Sequence, residues 1–460
     1  MEKIIAKNSQ TEYLKKLSIL EETDFIKNCP AIGYDDLEPL ILQIKDLNVN
    51  HLCSDKVVAF SKSSGTTSRS KFIPLTKQAI QANFTAGKSM LSYYIAENTR
   101  SKIFEGQNFS LTGTYSKIGN YIVGDVSALF TYFLSPWYRP FRVPKMQLAT
   151  LADWNEKLDT IVPILAKSDI RWIAGVPSWM SIVIDKVEDY TQKPIHKLWH
   201  NLEVYFYGGV SIKPYESYFK EKFNGDLKLW QTYNASEGFF GLQTENYADG
   251  MSLLYHLDNY FEFIRYSDVN AQKPDIIGLN EIELGGVYEL VITNLSGLYR
   301  YRMGDLLKIV NLNPLRFEIV GRTKNSINIF GEELMVNNTE QAIAELNKEM
   351  NFMIKDYTVA PVVEGNTGYH HWLIEFNTKP DDIAQFQWRL DQILRTLNSD
   401  YDAKRYNDII MKPLTIEVLE LNTIERWLDK NKRKTVQAKV PKLWEDDSIQ
   451  RQLKDINHQP

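Results

Sequence analysis

Lys71 closes a stretch, Ser61 to Lys71, in which Ser63, Ser64, Thr66 and Thr67 surround Gly65. Hydroxyls, backbone N–H groups released by a tight glycine turn and one ammonium are the donors that a polyphosphate needs. Neither GxxxxGK[ST] nor GxGxxG occurs in the chain, so a nucleotide held here belongs to a class other than the P-loop or dinucleotide folds. Composition alone would also suit a flexible Ser/Thr linker. Position favours the ligand loop. The apolar run Val57, Val58, Ala59, Phe60 precedes it as a strand, and Thr76, a natural N-cap, opens a helical pattern with Ile80, Phe84, Gly87, Leu91 and Tyr94 on one face.

Further groups suit the same chemistry. The run Tyr233-Asn234-Ala235-Ser236-Glu237-Gly238 places an aromatic face, a hydroxyl and a carboxylate close together. Tyr233 can stack on a base, Thr232 or Ser236 can donate to a phosphate, and Glu237 can hold Mg2+ against phosphate oxygens. Asp305, expected at a turn made by Gly304, can accept both hydroxyls of a ribose. Arg300, Arg322 and Lys439 are cations for an anionic transition state. Trp179, and Tyr207 with Gly208 and Gly209, follow short strands and are candidates for substrate-pocket lining, although aromatics in such places are more often core. Each motif also has an ordinary reading: SEG and GD are common turns, and most single arginines are solvated or paired at the surface. His370 and His371 would point to opposite faces of a strand, which speaks against a metal pair.

These groups require a scaffold that delivers loops at strand ends. Short apolar strands at Asn108 to Thr114, Ile170 to Gly175, Leu202 to Tyr207 and Leu227 to Thr232 alternate with helical stripes such as Leu158, Ile161, Leu165. That alternation is the signature of an α/β fold. Antiparallel strands are then expected at Tyr260 to Arg265, Glu281 to Leu284, Val287 to Thr293, Leu307 to Val310 and Arg316 to Val320, with a tight turn at Gly285-Gly286. From Thr323 the pattern changes, so a boundary near Lys324 and Asn325 separates residues 1–325 from a small α+β domain, 326–460. The apolar window Tyr121 to Trp137 is broken by Gly124 and Asp125, falls short of a membrane span and reads as a buried helix or pocket wall.

A net charge of −5 removes any general attraction to nucleic acid or anionic membrane. Cys29 and Cys53 lie too far apart for a CxxC pair and have no histidine cluster, so neither a disulfide framework nor a zinc site is indicated. Reduced thiols, no signal peptide and a cytoplasmic location are expected.

In order along the chain, SSGTTSRSKFIP, YNASEG, YRYRMGD, GRTKNSINIFGEELMVNNTEQAI and VQAKVPKL resemble motifs of the auxin-responsive Gretchen Hagen family of acyl acid amido synthetases. That family belongs to the adenylate-forming superfamily of acyl-CoA synthetases and luciferases. The likeness runs from YDDLEPLI near Tyr34 through GVPSWM to the late lysine. It implies an α/β fold with a large N-terminal domain that binds ATP and the acyl substrate, built of αβ sheets plus a β-barrel-like part. A smaller, mobile C-terminal α+β lid domain would follow.

The resemblance also implies a ligase using ATP and Mg2+. It would convert a small-molecule carboxylic acid into an acyl-adenylate with release of pyrophosphate, then transfer the acyl group to an amine, usually an amino acid. Carried onto this chain, Ser64, Gly65, Thr66, Thr67 and Lys71 would hold the β- and γ-phosphates. Tyr233 would stack on adenine, Glu237 would bind Mg2+, Asp305 would take the ribose hydroxyls, and Arg322 would approach the ribose or phosphate. Lys439, with Lys434 as the alternative, would reach the α-phosphate, and a domain rotation would pivot near Lys324 and Asn325. The alternatives are an acyl-CoA ligase using the same adenylate, and a catalytically silent nucleotide-binding protein. The acid itself is not named, although the aromatics suggest an apolar or aromatic carboxylate.

Overall fold

The computed structural model describes the chain except residues 64–70, 152–153, 210–211, 213–214, 247, 256, 258, 324–325, 328–331, 333, 365–366, 406–407, 409–410, 432–438, 445 and 458–460. The chain forms two compact units, Met1–Met303 with Leu307–Glu318, and Gly304–Leu306 with Ile319–Pro460.

In the large unit, β1 (Val57–Ser63) and β2 (Lys71–Thr76) form an antiparallel hairpin in which Ser63 pairs with Lys71. The sequence indicates a strand on the first side only; KFIPLT is a second one, with Ile73, Pro74, Leu75 and Thr76 buried. The polar run 64–70 is the hairpin's connection, and Ser64, Gly65, Thr66 and Thr67 lie outside the described residues. Thr76 caps the helix Lys77–Glu97 as expected, its hydroxyl accepting from the Ala79 N–H at 3.2 Å. That helix buries Ile80, Asn83, Ala86, Met90 and Tyr94, a face turned about one residue from the apolar stripe. Small Ala86 faces the sheet core around Phe206 and Trp230, while Phe84 packs on Phe130 instead.

Next come β3 (Gln107–Ser110), β4 (Tyr115–Ile118), β5 (Tyr121–Gly124), β6 (Arg142–Val143), β7 (Ile170–Gly175), β8 (Val204–Tyr207) and β9 (Lys228–Ala235). The hairpin joins β5 and β4 in a four-stranded sheet ordered β2-β1-β5-β4, in which β1 and β5 are parallel. The window Tyr121 to Trp137 therefore begins as a strand and continues as the helix Val126–Phe133. Strands β6, β3, β7, β8 and β9 lie parallel and adjacent. They run on without a break into an antiparallel half made of β10 (Gly238–Leu242), β11 (Met251–Leu253), β12 (Asn259–Arg265), β13 (Ile276–Ile277), β14 (Val287–Asn294), β15 (Tyr301–Leu312) and β16 (Leu315–Arg322). The strand expected at Glu281 to Leu284 is instead a short 3-10 turn, Leu279–Glu281, ahead of the turn at Gly285.

The α/β class and the division into a large N-terminal and a smaller C-terminal part agree with the sequence reading. In the small unit β17 (Ser326–Ile327) pairs with β18 (Leu334–Met335), and a long hairpin of β19 (Met353–Glu364) and β20 (Thr367–Thr378) takes β21 (Thr415–Leu419) alongside β20. The helices Val336–Leu346 and Ile383–Leu397 bury Ile343, Leu346, Phe386 and Leu390 with Trp372 and Ile374 in one core. Each such side chain contributes roughly 1.5–3 kcal/mol on burial. His370 is buried against Glu332 at 2.8 Å, whereas His371 bonds Thr415 and Glu417, so the two do point to opposite faces.

Candidate active site

In the large unit the candidate residues gather where the parallel strands end. Gly208 follows β8, and a Cβ there would come within 2.6 Å of the Thr232 carbonyl and 2.8 Å of its hydroxyl. Only glycine lets β8 and β9 run this close at their C-terminal ends. Gly209 follows with φ +78°, the left-handed conformation that glycine favours. The Thr232 hydroxyl donates to the Tyr207 carbonyl at 3.0 Å, so its proton holds this junction rather than being offered to a phosphate. Tyr207 is buried, and burial, followed by the Glu216 and Glu318 carboxylates, pushes its phenol up. Trp179 is half-buried in the first turn of the helix Pro177–Thr191, directly after β7.

Tyr233 belongs to the strand itself. Its ring is buried edge-on to Phe240 and Phe317, with centroids 5.4 and 6.0 Å away. Beside it, Asn234 Oδ1 is buried and has no hydrogen-bond partner among the described residues, an acceptor open to a ligand donor. Ser236 and Glu237 form the turn into β10. Glu237 accepts from the Tyr301 hydroxyl at 3.1 Å and lines a narrow cleft with Asn83, Asn259, Asn294 and Ser296.

Lys71 opens β2 with its ammonium 5.4 Å from the centre of the Tyr34 ring. The Tyr34 hydroxyl accepts the Phe72 N–H at 2.9 Å. Burial raises that phenol against the pull of the Phe72 N–H bond, and the carboxylates of Glu38, Asp35 and Glu237 add to the rise. Neither Tyr34 nor Tyr301 was a sequence candidate. Their signal was there, since YDDLEPLI begins with Tyr34 and Tyr301 is the second tyrosine of YRYRMGD.

Arg300 is a correction. It is buried, pairs with Glu262 through Nε and Nη2, donates through Nη1 to the Ile26 and Cys29 carbonyls, and lies over the Phe25 ring. With those donors committed inside the fold, it is a structural ion pair and not a cation for a transition state.

In the small unit, Asp305 is also placed differently. It lies within β15 rather than at a turn, although Gly304 with φ +73° interrupts the strand and accepts the Thr323 N–H at 2.8 Å. Arg322 Nε meets Asp305 Oδ1 at 2.7 Å. Lys439 precedes a segment held on β19, where Val359 N–H donates to the Lys442 carbonyl at 2.8 Å and Trp444 N–H to the Val359 carbonyl at 3.0 Å. Burial and then the Lys442 ammonium push Lys439 down to about 8, against the pull of Glu340 and Asp356. Lys434, Lys324 and Asn325 lie outside the described residues, as does the side chain of Ser63.

Among the described residues no group of three or more His, Cys, Asp or Glu is placed to hold a metal, and no helix is long and apolar enough to cross a membrane. A Mg2+ here would rest on Glu237 and phosphate oxygens, a pairing typical of this ion. The orphan acceptor of Asn234 and the tight glycine at Gly208 fit a nucleotide in the same place.

The fold and these strand-end groups define an α/β protein of the adenylate-forming kind. A solved GH3.15 acyl acid amido synthetase matches with TM-score 0.81 at 20% identity, covering 98% of this chain and 91% of its own. A 2-hydroxyisobutyryl-CoA ligase matches in fold with TM-score 0.65 at 14% identity, covering 98% of this chain and 91% of its own. Residues 1–229 match the GH3 family N-terminal domain, 252–322 the GH3 family central domain and 337–448 the GH3 family C-terminal domain. The chain belongs to the GH3 family. Among curated relatives, jasmonoyl-L-amino acid synthetase JAR4 of Nicotiana attenuata is 25% identical, over 82% of this chain and 78% of the relative. The 4-substituted benzoates-glutamate ligase GH3.12 of Arabidopsis thaliana is 23% identical, over 93% of this chain and 88% of the relative.

Proposed function

We propose that this protein is an ATP-dependent acid–amino acid ligase. A carboxylate oxygen of the acid bonds to the α-phosphorus of ATP and pyrophosphate leaves. The amine of an amino acid then attacks the acyl carbon, forming the amide and releasing AMP. Carboxylate and polyphosphate repel one another, so the site must supply cations and oriented donors. Lys71 with the Ser63 to Thr67 stretch serves the β- and γ-phosphates, Tyr233 the adenine, Asp305 the ribose, and Arg322 the ribose or phosphate. Glu237 holds Mg2+, which neutralises phosphate charge when bound. Lys439, with Lys434 as the alternative, answers the α-phosphate. Trp179, Tyr207, Gly208 and Gly209 lie on the side of the acyl substrate. Residues 326–460 act as the lid that carries Lys439 in and out.

The observation that supports this reading most is the Tyr207-Gly208/Thr232 junction with Glu237 beyond it, because it puts a ligand edge at the YNASEG motif. Amino acid synthetase and glutamate ligase activities among the relatives favour an amino acid over CoA as acceptor. The free, buried thiols of Cys29 and Cys53 suit a reducing compartment, which we take to be the cytoplasm.

Acid-dependent pyrophosphate exchange tests the proposal. Lys71→Ala and Asp305→Ala should each nearly abolish it, and full activity in either removes that residue from the site. Offering CoA and the standard amino acids to preformed adenylate decides the acceptor.

A further inference from the structure

The register of the large unit's parallel strands orders their ends: Arg142 of β6 stands opposite Asn108 of β3, Gly175 of β7 opposite Tyr207 of β8, and Tyr207 opposite Gln231 of β9. Ligands of open α/β sheets bind beyond the carboxyl ends of the strands, the edge where Gly208 and Glu237 lie. Arg142 reaches toward that edge. Its Nη2 donates to the Ser110 carbonyl at 3.1 Å and to the Thr112 hydroxyl, at and past the end of β3.

Among the described residues Arg142 has no carboxylate partner, and its Nε is buried without a hydrogen-bond partner. Burial alone pushes the guanidinium down to about 10. Arg142 as a whole is half-buried, and the same turn holds a fully buried cation, Lys157, whose Nζ donates to the Thr112 carbonyl at 2.8 Å. Lys157 feels the Asp125 carboxylate, which accepts the Thr114 N–H at 2.8 Å and which burial raises against the pull of that N–H, Lys62 and then Lys157. Gly113 lets the turn close on this carboxylate: a Cβ there would fall 2.1 Å from Asp125 Oδ2. Asp125 therefore serves Lys62, Lys157 and the turn, and among the described residues Arg142 is the cation here without a carboxylate. A buried guanidinium N–H without an acceptor is unfavourable, and a bound anion relieves it.

We infer that Arg142 is a specificity residue for the acid substrate, and that this acid carries a second anionic group at the end remote from its reacting carboxylate. The inference rests on the ligase reading above. From β6 to β9 there are four strand spacings, about 19 Å. Arg142 is thus too far along the sheet to touch a carboxylate reacting beside the β9–β10 turn, and near enough to read the far end of an acid lying along the strand ends. A dicarboxylate satisfies both ends; a monocarboxylate leaves the guanidinium unmatched.

The test is pyrophosphate exchange by the full-length protein with matched acids: straight-chain monocarboxylates against dicarboxylates of equal carbon number, over chain lengths long enough to bridge the four strand spacings. The expected result is a kcat/KM ratio favouring the diacid, and a ratio about 10- to 100-fold smaller in Arg142→Met, the range for losing a charged hydrogen bond. Arg142→Lys should keep part of the preference. A wild-type preference for monoacids overturns the inference. So does an Arg142→Met protein in which both acids of a pair lose activity equally, which would make Arg142 only a clamp on the β3 turn. Should Arg142→Met fail to fold, Arg142→Gln gives the same ratio. Exchange absent with every acid, while ATP still binds, removes the ligase reading and this inference with it.

Discussion

Arg322 Nε lies 2.7 Å from Asp305 Oδ1, so the carboxylate assigned to the ribose is aimed by the cation assigned to the same nucleotide. The Asp305 side chain is 11% exposed and that of Arg322 47%, which makes the carboxylate the fixed partner and the arginine the adjustable one. Asp305→Asn should raise the KM for ATP about 10- to 100-fold, since a charged acceptor is worth about 1.5–3 kcal/mol. Arg322→Met should raise it less, because Asp305 keeps its charge and loses only its orientation. ATP titrations of pyrophosphate exchange measure both, and an equal or reversed order contradicts the assignment.

Lys439 is useful to a polyphosphate only when protonated. With its pKa pushed down to about 8 by burial and Lys442, adenylation should be full below that pH and fall as pH rises through it. Lys442→Met removes the like charge and frees Asp356, so the alkaline limb should move upward. A pH–rate profile of the exchange reaction checks this; a limb that does not move separates Lys439 from the effect.

Arg300→Met tests the opposite kind of role. Both side chains of the Arg300–Glu262 pair are nearly inaccessible, and removing one partner strands the other, at roughly 3–5 kcal/mol. Soluble yield and the urea midpoint should fall sharply, while the KM for ATP of the folded fraction changes little.

Tyr301→Phe deletes the donor to Glu237 without altering shape. A hydrogen bond to a carboxylate contributes about 1.5–3 kcal/mol, so the Mg2+ concentration for half-maximal exchange should shift about tenfold or more. An unchanged Mg2+ dependence would take the metal away from Glu237.

The motifs were legible because their residue types have local causes. Thr76 capped its helix as read, and the stripes around Ile343 and Leu390 built the small core. What escaped depended on partners distant in the chain. Nothing near Arg300 announces Glu262, nothing near KFIPLT announces a strand until Val57 to Ser63 pairs with it, and Tyr34 meets Lys71 and Phe72 only in three dimensions. Asp305 was misplaced because a glycine before an aspartate usually marks a turn, whereas Gly304 bends a strand that continues.

Residues Gly304 to Leu306 belong to the second unit although the chain on both sides of them belongs to the first. No single cut therefore separates the halves of this protein. A fragment starting at Ile319 would carry Arg322 but leave Asp305 behind. Swapping C-terminal halves between relatives at that point would put together an arginine and an aspartate from different parents, and nucleotide affinity in such chimeras should follow the match of the two rather than the origin of either.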